Sequence, residues 1–471
     1  MGDLRLPPLW RALLGGGLAG LAPAAAGPLT LIPGLILLWT VSSRPRLAAL
    51  WGGLAVLVSH RWLLGLHPLT WMGVPALLSL PIAVGLLLIC SLLAAGLLMV
   101  WAQIGRWLDG RVRPLAQALL LALLWGCAEV WLSGSPLFWI GLGGSVLPID
   151  PWLAALARWI GAGGLTVLLL IWAWLIVRRQ LLLAVLTLAL GHGLGAWLLS
   201  QPVPQVGSLD LALWQPSIPT REKFSVERQR RFPEALQAAL DKAAAADVSW
   251  LVAPEGTLPS AWRTGLSDMS PPLLSGGFRQ VRGQLRSSLL MLQPGGSSRP
   301  QPLLDKHRLV PIGEWLPTGL TAGLSAVGGL QPGSPSRLVD GVTPSFALAI
   351  CYEISDGHAL AEASAQGAQW LLTLANLDPY PLQLQRQFLA LSQLRALETG
   401  RDLVSVGNTG PTALVRSDGS MEQLLPPGRE GVAKATVQLH GQTTPYSRWP
   451  DGPLLLMVPL LLLLERVQAS R

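Results

Sequence analysis

Ser345-Phe-Ala-Leu-Ala-Ile-Cys-Tyr-Glu-Ile-Ser-Asp-Gly357 is an apolar run with β-strand character that stops abruptly at Cys351-Tyr352-Glu353, where turn-forming Ser355, Asp356 and Gly357 follow. A cysteine at the end of a buried strand is held rigidly while its sulfur is free to point into a cleft, a common way to present a nucleophile. The plainer alternative is a small buried hydrophobe, the commoner use of a lone cysteine. Two other stretches decide between them.

The first is Trp250-Leu-Val-Ala-Pro-Glu255-Gly256, a buried strand ending in a carboxylate, with Pro254 and Gly256 shaping the turn. The second is Leu304-Asp-Lys306-His-Arg-Leu-Val-Pro-Ile-Gly-Glu314-Trp-Leu-Pro317, a charged cluster running into an apolar turn that holds another carboxylate. Each charge alone reads as a solvated loop group. Together the three stretches supply what thiol acyl transfer needs. A thiol of pKa about 8.5 requires a base or a cationic neighbour near neutral pH. Glu255 is placed to take the proton, and Lys306 to stabilise the thiolate and then the oxyanion of a tetrahedral intermediate. The backbone N–H of Tyr352 is a second candidate oxyanion donor. His307 and His358 lack a partner pattern for a Cys/His pair. No metal-ligand spacing and no phosphate-binding glycine loop occurs, so neither metal nor cofactor is expected.

Composition places this chemistry at a membrane. Of the 471 residues, 51% are hydrophobic and 13% charged, against about 25% charged in an ordinary soluble protein. Residues 1–200 hold few ionisable groups, residues 208–446 have a soluble composition, and 452–467 are apolar again. The expected organisation is a membrane domain of about seven helices, a globular catalytic domain, and a C-terminal transmembrane helix. The uncharged run from Arg11 to Arg44 is about 48 Å long as one helix, too long for a bilayer core near 30 Å. Ala22-Pro23 and Gly27-Pro28 therefore split it in two. Leu47–Leu66, Pro81–Trp101, Leu115–Trp131, Trp159–Val177 and Leu181–Leu199 complete the seven. Met1–Trp10 shows no small-residue cleavage site and reads as a retained N-terminus.

The net charge of +8 does not mark a nucleic-acid binder, because the arginines form no single patch. They sit in short loops: Arg5, Arg11, Arg44, Arg46, Arg106, Arg111, Arg113, Arg178 and Arg179 fall on one side of the spans, with Arg466 and Arg471 beyond the last. Little but Arg61 and Arg158 is opposite. By the positive-inside rule the basic side is cytoplasmic, which puts the globular domain outside the cytoplasm. Glu129, near the outer end of the fifth span, reads as a snorkelled or hydrogen-bonded interfacial group. Cys90, Cys127 and Cys351 imply no disulfide framework.

Within 208–446, strand-like and helix-like segments alternate, which indicates a layered α/β domain. Pro233–Ala246, Ala359–Gln366 and Leu382–Glu398 read as helices. Leu209–Trp214, Val248–Ala253, Ser287–Leu292, Phe346–Ile350, Trp370–Ala375, Leu403–Val406, Ala413–Arg416 and Val432–Val437 read as strands. Ser260–Gly283 and Trp315–Thr343, rich in Gly, Pro and Ser, read as long loops.

Pro-Glu255, Asp305-Lys306-His-x-Leu-Val-Pro-x-Gly-Glu314-x-x-Pro and Ile-Cys351-Tyr-Glu353 resemble the Glu-Lys-Cys motifs of the nitrilase superfamily. With the membrane spans, the chain resembles the bacterial apolipoprotein N-acyltransferase family over most of its length. Arg395-Ala-Leu-Glu398, Gly400-Arg401, Asn408-Thr-Gly410 and Glu129 with Gly134-x-Pro136 are similar to further motifs of that family. The resemblance implies an αββα sandwich outside the bacterial inner membrane, on the periplasmic side. It implies Glu255 as general base, Lys306 as oxyanion stabiliser and Cys351 as nucleophile, with Glu314, Tyr352 and Glu353 in support.

The implied reaction moves an acyl chain from a membrane phospholipid to the α-amino group of a diacylglyceryl-cysteine apolipoprotein, through a thioester on a monomeric enzyme. Phe224 occupies a position usually held by Trp, and Ala375-Asn-Leu-Asp-Pro-Tyr-Pro381 replaces the family's Ser-Asn-Asp-Ala-Trp-Phe-Gly. Phe224, Trp262, Trp315 and Leu316 are the expected substrate contacts. The rival readings are a membrane-tethered amidase or nitrile hydrolase with water as acceptor, and a non-catalytic scaffold.

Overall fold

A computed structural model of the chain describes residues 6–72, 74–135, 137–223, 225–311, 313–315, 329–378, 380–450, 452–457 and 459. Helices α1 (Pro8–Gly20) and α2 (Pro28–Val41) are separated by Ala22–Ala26, where Pro23 and Ala24 leave helical conformation. Gly27, at φ 54°, reverses the chain, and Pro28 opens α2 where its missing N–H costs nothing. The break therefore falls where the sequence puts it.

Helix α3 (Pro45–Ser59) ends sooner than the Leu47–Leu66 expected, and residues 61–66 and 69–72 form 3-10 turns instead. Trp62 and Leu63 fold back to pack with Leu87 and Leu384, so tertiary burial, not a longer helix, takes up that apolar stretch. Then come α4 (Ala76–Leu108), α5 (Pro114–Ser133), the single turns α6 (Gly141–Gly144) and α7 (Pro151–Ala154), α8 (Ala157–Val177) and α9 (Leu181–Ser200).

Among the described residues, α4, α5, α8 and α9 are long and apolar enough to cross a membrane. The apolar helices α2 and α3, at 14 and 15 residues, are shorter. Most of the expected C-terminal span lies outside the described residues. The turns rich in arginine converge at one end of the bundle, where Ser42, Ser43, Arg106, Asp109, Gln117 and Arg178 line one depression.

The other end carries an α/β sandwich. One sheet has the order β12-β1-β2-β3-β4-β5. It comprises β1 (Gln205–Gln215), β2 (Trp250–Leu258), β3 (Leu273–Val281), β4 (Gln284–Leu292), β5 (Gln301–Asp305) and, far along the chain, β12 (Gly431–His440). The second has the order β11-β10-β9-β8-β7-β6. Its strands are β6 (Leu338–Val339), β7 (Phe346–Ile350), β8 (Trp370–Ala375), β9 (Leu403–Gly407), β10 (Thr412–Val415) and β11 (Met421–Leu425).

Leu211, Val252, Leu348, Leu372 and Val404 fill the space between the sheets. After the single turn α10 (Thr220–Lys223), α11 (Val226–Ala245) covers the outside of the first sheet with Phe232, Leu236 and Leu240. It begins at Ser225, whose side chain caps Arg228 N, so Pro233 lies inside the helix and not in its first turn.

The second sheet is covered by α12 (Gly357–Ala365) and α13 (Leu382–Thr399). Helix α13 is buried on nearly every face because β9 lies on one side and α8 on the other. Its polar residues reach into the bundle: Gln383 and Gln387 donate to Ser59 O at 2.9 and 3.1 Å, and Glu398 accepts from Ala162 N at 3.0 Å. Close by, α14 (Pro445–Arg448) presses Tyr446 onto Gly161 of α8, where a Cβ would lie 2.3 Å from the ring.

Strand β3 is the main correction to the sequence reading, since it runs through the expected Ser260–Gly283 loop. Gly276 and Gly277 read as loop formers, but they are strand glycines required by close packing. A Cβ on Gly276 would lie 2.5 Å from Glu255 Cα, and one on Gly277 2.8 Å from Leu258 O. In the second expected loop, β6 pairs with β7 and residues 316–328 lie outside the described part.

Candidate active site

The bulged middle of β2 and the ends of β5 and β7 meet on one edge of the sandwich. Pairing between β2 and β3 is interrupted between Ala253 and Leu258, where Pro254 cannot donate and Gly256 adopts φ 61°. That bulge turns Glu255 out of the ladder. Lys306 follows β5 directly, its N–H bonded to Ser287 O and its carbonyl to Gly333 N. Cys351 follows β7 at φ 57°, left-handed for a non-glycine residue. Such a conformation costs about 1–3 kcal/mol and persists only where its surroundings enforce it.

Glu353 does much of the enforcing. Its carboxylate accepts from Ile350 N (2.8 Å), His307 N (2.8 Å) and Arg308 N (3.0 Å), and pairs with buried Arg337 at 3.1 Å. One side chain thereby ties the cysteine turn to the lysine loop. Tyr352 extends the tie, donating its hydroxyl to Leu309 O. Its ring lies under Arg308 at 5.0 Å and Lys306 at 5.8 Å.

The Lys306 ammonium, wholly buried, bridges two carboxylates: Glu255 Oε1 at 2.8 Å and Glu314 Oε1 at 2.7 Å. Burial alone would lower its pKa, but the two glutamates outweigh it and hold Lys306 well above its ordinary value, as a cation. Glu255 Oε2 also accepts from Asn376 N (3.2 Å), and Glu314 Oε2 from Val310 N (2.9 Å). Burial and the neighbouring Glu255 push Glu314 up. Burial, then Glu255, push the Cys351 thiol well up against the opposing pull of Lys306, while the Tyr352 backbone N–H bonds the sulfur. Cys351 is therefore held as a neutral thiol, beside a carboxylate that already holds a lysine. Such a thiol reacts by giving its proton to a neighbour as it attacks.

Cys351 also lines a cavity of about 630 Å³. Around the sulfur its walls are Val310, Pro311, Tyr352, Leu377, Tyr380 and Phe388; beyond them they are bundle residues, including Trp62, Leu86, Cys90, Leu97, Leu132 and Trp139. Leu92, Leu93, Val100 and Trp131 of this wall are exposed on the outer face of the bundle. Arg308 and Ser355 hold the bundle beneath the site by bonds to the carbonyls of Ser135 and Ser133.

Of the residues expected from sequence, Glu255, Lys306, Glu314, Cys351, Tyr352 and Glu353 are brought together. Trp262 is elsewhere, packed edge-on against Phe232 on the outer side of the first sheet. Trp315 is half exposed on the loop after Glu314; Phe224 and Leu316 lie outside the described residues. Sequence reasoning missed Asn376, Leu377 and Tyr380, which lie in the stretch that departs from the family pattern, and Lys223, which donates to Glu255 O at 3.1 Å. Glu129 is buried, not snorkelled, and accepts from Trp125 Nε1 (3.1 Å), Leu142 N (2.9 Å) and the Thr166 hydroxyl. No group of side chains able to hold a metal occurs among the described residues.

Fold and site together define a two-sheet α/β sandwich, with a cysteine beside a buried lysine and two glutamates, standing on a bundle of long apolar helices. No family model matches the chain. It is 59% identical over 460 residues to an apolipoprotein N-acyltransferase of Parasynechococcus marenigrum, covering 95% of this chain and 98% of the relative. A Prochlorococcus marinus protein of the same name is 53% identical, covering 97% and 95%. One from Shewanella oneidensis is 29% identical, covering 75% and 74%. Likeness to solved structures is loose: yeast Nit3, a nitrilase-superfamily member, aligns over 51% of this chain and 92% of its own at 15% identity and TM-score 0.36. The chain belongs to the apolipoprotein N-acyltransferase family, and is a membrane-bound acyltransferase.

Proposed function

We propose that this protein transfers a fatty acyl chain from a membrane phospholipid to the α-amino group of a diacylglyceryl-cysteine apolipoprotein, in two half-reactions through a thioester on Cys351. In the first, Cys351 attacks the ester carbonyl while Glu255 takes the thiol proton. Lys306 and the Tyr352 N–H stabilise the oxyanion. Collapse breaks the ester C–O bond; the leaving alkoxide takes the proton from Glu255, and the lysophospholipid departs. In the second, the lipoprotein amine attacks the thioester and Glu255 accepts its proton. The C–S bond breaks, an amide forms, and the thiolate is reprotonated. Glu314 holds Lys306 in place throughout.

The observation that carries this reading is the cavity at Cys351, floored by the sandwich and walled by membrane helices. A soluble amide needs no such wall. The site is complete within one chain, which supports action as a monomer. The clustering of arginine-rich turns at the end of the bundle remote from the sandwich supports a cytoplasmic location for that end and a periplasmic one for the site, in the bacterial inner membrane.

The test is sequential transfer. Protein incubated with acyl-labelled phospholipid, then freed of lipid, is expected to hold label until a diacylated lipopeptide removes it as an amide. Release of the label as free fatty acid at the same rate without lipopeptide favours the hydrolase instead.

A further inference from the structure

A second cavity, of about 240 Å³, lies deeper in the bundle between α1, α3, α4 and α5, lined by Ala55, Leu98, Trp101, Trp125, Ala128 and Ile104 among others. It shares Val56, His60, Ala94, Leu97, Val100, Leu132 and Trp139 with the cavity at Cys351, so one layer of side chains divides them. His60 stands in that layer. Its ring contacts those of Trp62 (5.9 Å) and Trp139 (5.8 Å), both tilted against it, and it is fixed by Ser59 Oγ at 2.9 Å and Phe138 O at 3.3 Å. The indole N–H groups of Trp62 and Trp139 are buried and meet no acceptor among the described residues. A donor buried this way is unfavourable, so the two indoles are held by packing alone.

The outer cavity runs along α4 from Leu86 to Val100, about 21 Å at 1.5 Å per residue. A chain whose extended length exceeds about 21 Å therefore overruns it. The inner cavity continues along α4 to Ile104.

We propose that the inner cavity is a second compartment of the acyl site. It receives the terminal methylenes of a chain too long for the outer one, across the shared layer that holds Leu97, Val100 and Trp139. The inference rests on the Cys351 thioester proposed above. Its occupant is apolar because the shared walls are apolar, and it is the distal end of the same chain because the two cavities abut.

The test uses the unaltered chain, acylated from phospholipids carrying a terminal diazirine on either a myristoyl or an arachidoyl group. The arachidoyl probe is expected to cross-link to α5 around Trp125 and Ala128, the myristoyl probe only to outer-cavity residues such as Cys90 and Leu93. Identical cross-links for the two probes overturn the inference. Two variants test it again: Ala128→Leu should lower the arachidoyl-to-myristoyl ratio of acyl-enzyme formation about tenfold, and Trp139→Ala should raise it by a similar factor. Ratios unchanged in folded variants also overturn it. Failure of both probes to acylate the parent sinks the thioester reading, a distinguishable result.

Discussion

At the scale of single residues, the site is a set of buried charges that cannot be removed one at a time. Glu353 neutralises Arg337, which is itself buried. Glu353→Gln leaves that guanidinium without a counter-charge and should cost about 3–5 kcal/mol, read as a lower midpoint of thermal unfolding, with acylation lost because the cysteine turn is no longer held. Asp305, beside Lys306, accepts from Arg279, Arg286 and Ser288. Burial works against its charge, but these partners hold its pKa down, from 3.8 to about 2. A depressed carboxylate stabilises the fold above its unfolded pKa, and that contribution disappears as pH falls through the folded value. Thermal stability should therefore fall between about pH 4 and pH 2, and Asp305→Asn should flatten that part of the profile. A profile unchanged by the substitution contradicts the assignment.

At the scale of elements, strand ends and the bulge in β2 aim the reactive groups. Gly276 is the residue that lets β3 lie against the Glu255 backbone. Gly276→Ala should lower stability by about 1–3 kcal/mol through overpacking. It should also slow single-turnover acylation, about a hundredfold for a displacement near 1 Å, while leaving Lys306 and Cys351 chemically intact. An unchanged acylation rate argues that Glu255 is not held from this side. Much at this scale is legible in the sequence: β7 and β8 begin and end where their apolar runs do, and both break signals between α1 and α2 hold. What fails has physical causes. Strand β3 hides because its glycines answer a packing demand from β2. Helix α3 stops early because Trp62 and Leu63 find a better partner in Leu384 than in lipid. The cavity is the least legible, since Tyr380 and Trp139 are far apart in sequence and meet only through folding.

At the scale of the whole molecule, one apolar core runs from Leu121 and Leu170 of the bundle through Leu394 to Leu371 of the sandwich. Polar groups cross the same boundary: Arg158 reaches Ser417 O at 2.8 Å, and Glu398 reaches Ala162 N. The sandwich is therefore not a tethered unit. Residues 205–445 expressed alone should expose the bundle-facing side of α13 and aggregate; a monodisperse soluble product in size-exclusion chromatography contradicts this continuity. The arrangement places a thiol, a carboxylate and a lysine above a cavity walled by apolar bundle residues, and the central claim is that the thiol carries the acyl group. Intact-mass measurement of the purified protein after incubation with phospholipid tests it most directly. The account predicts one added acyl group, mapped to Cys351, released by hydroxylamine and absent from Cys351→Ala. The same adduct on Cys351→Ala, or one on another residue of the parent, contradicts it.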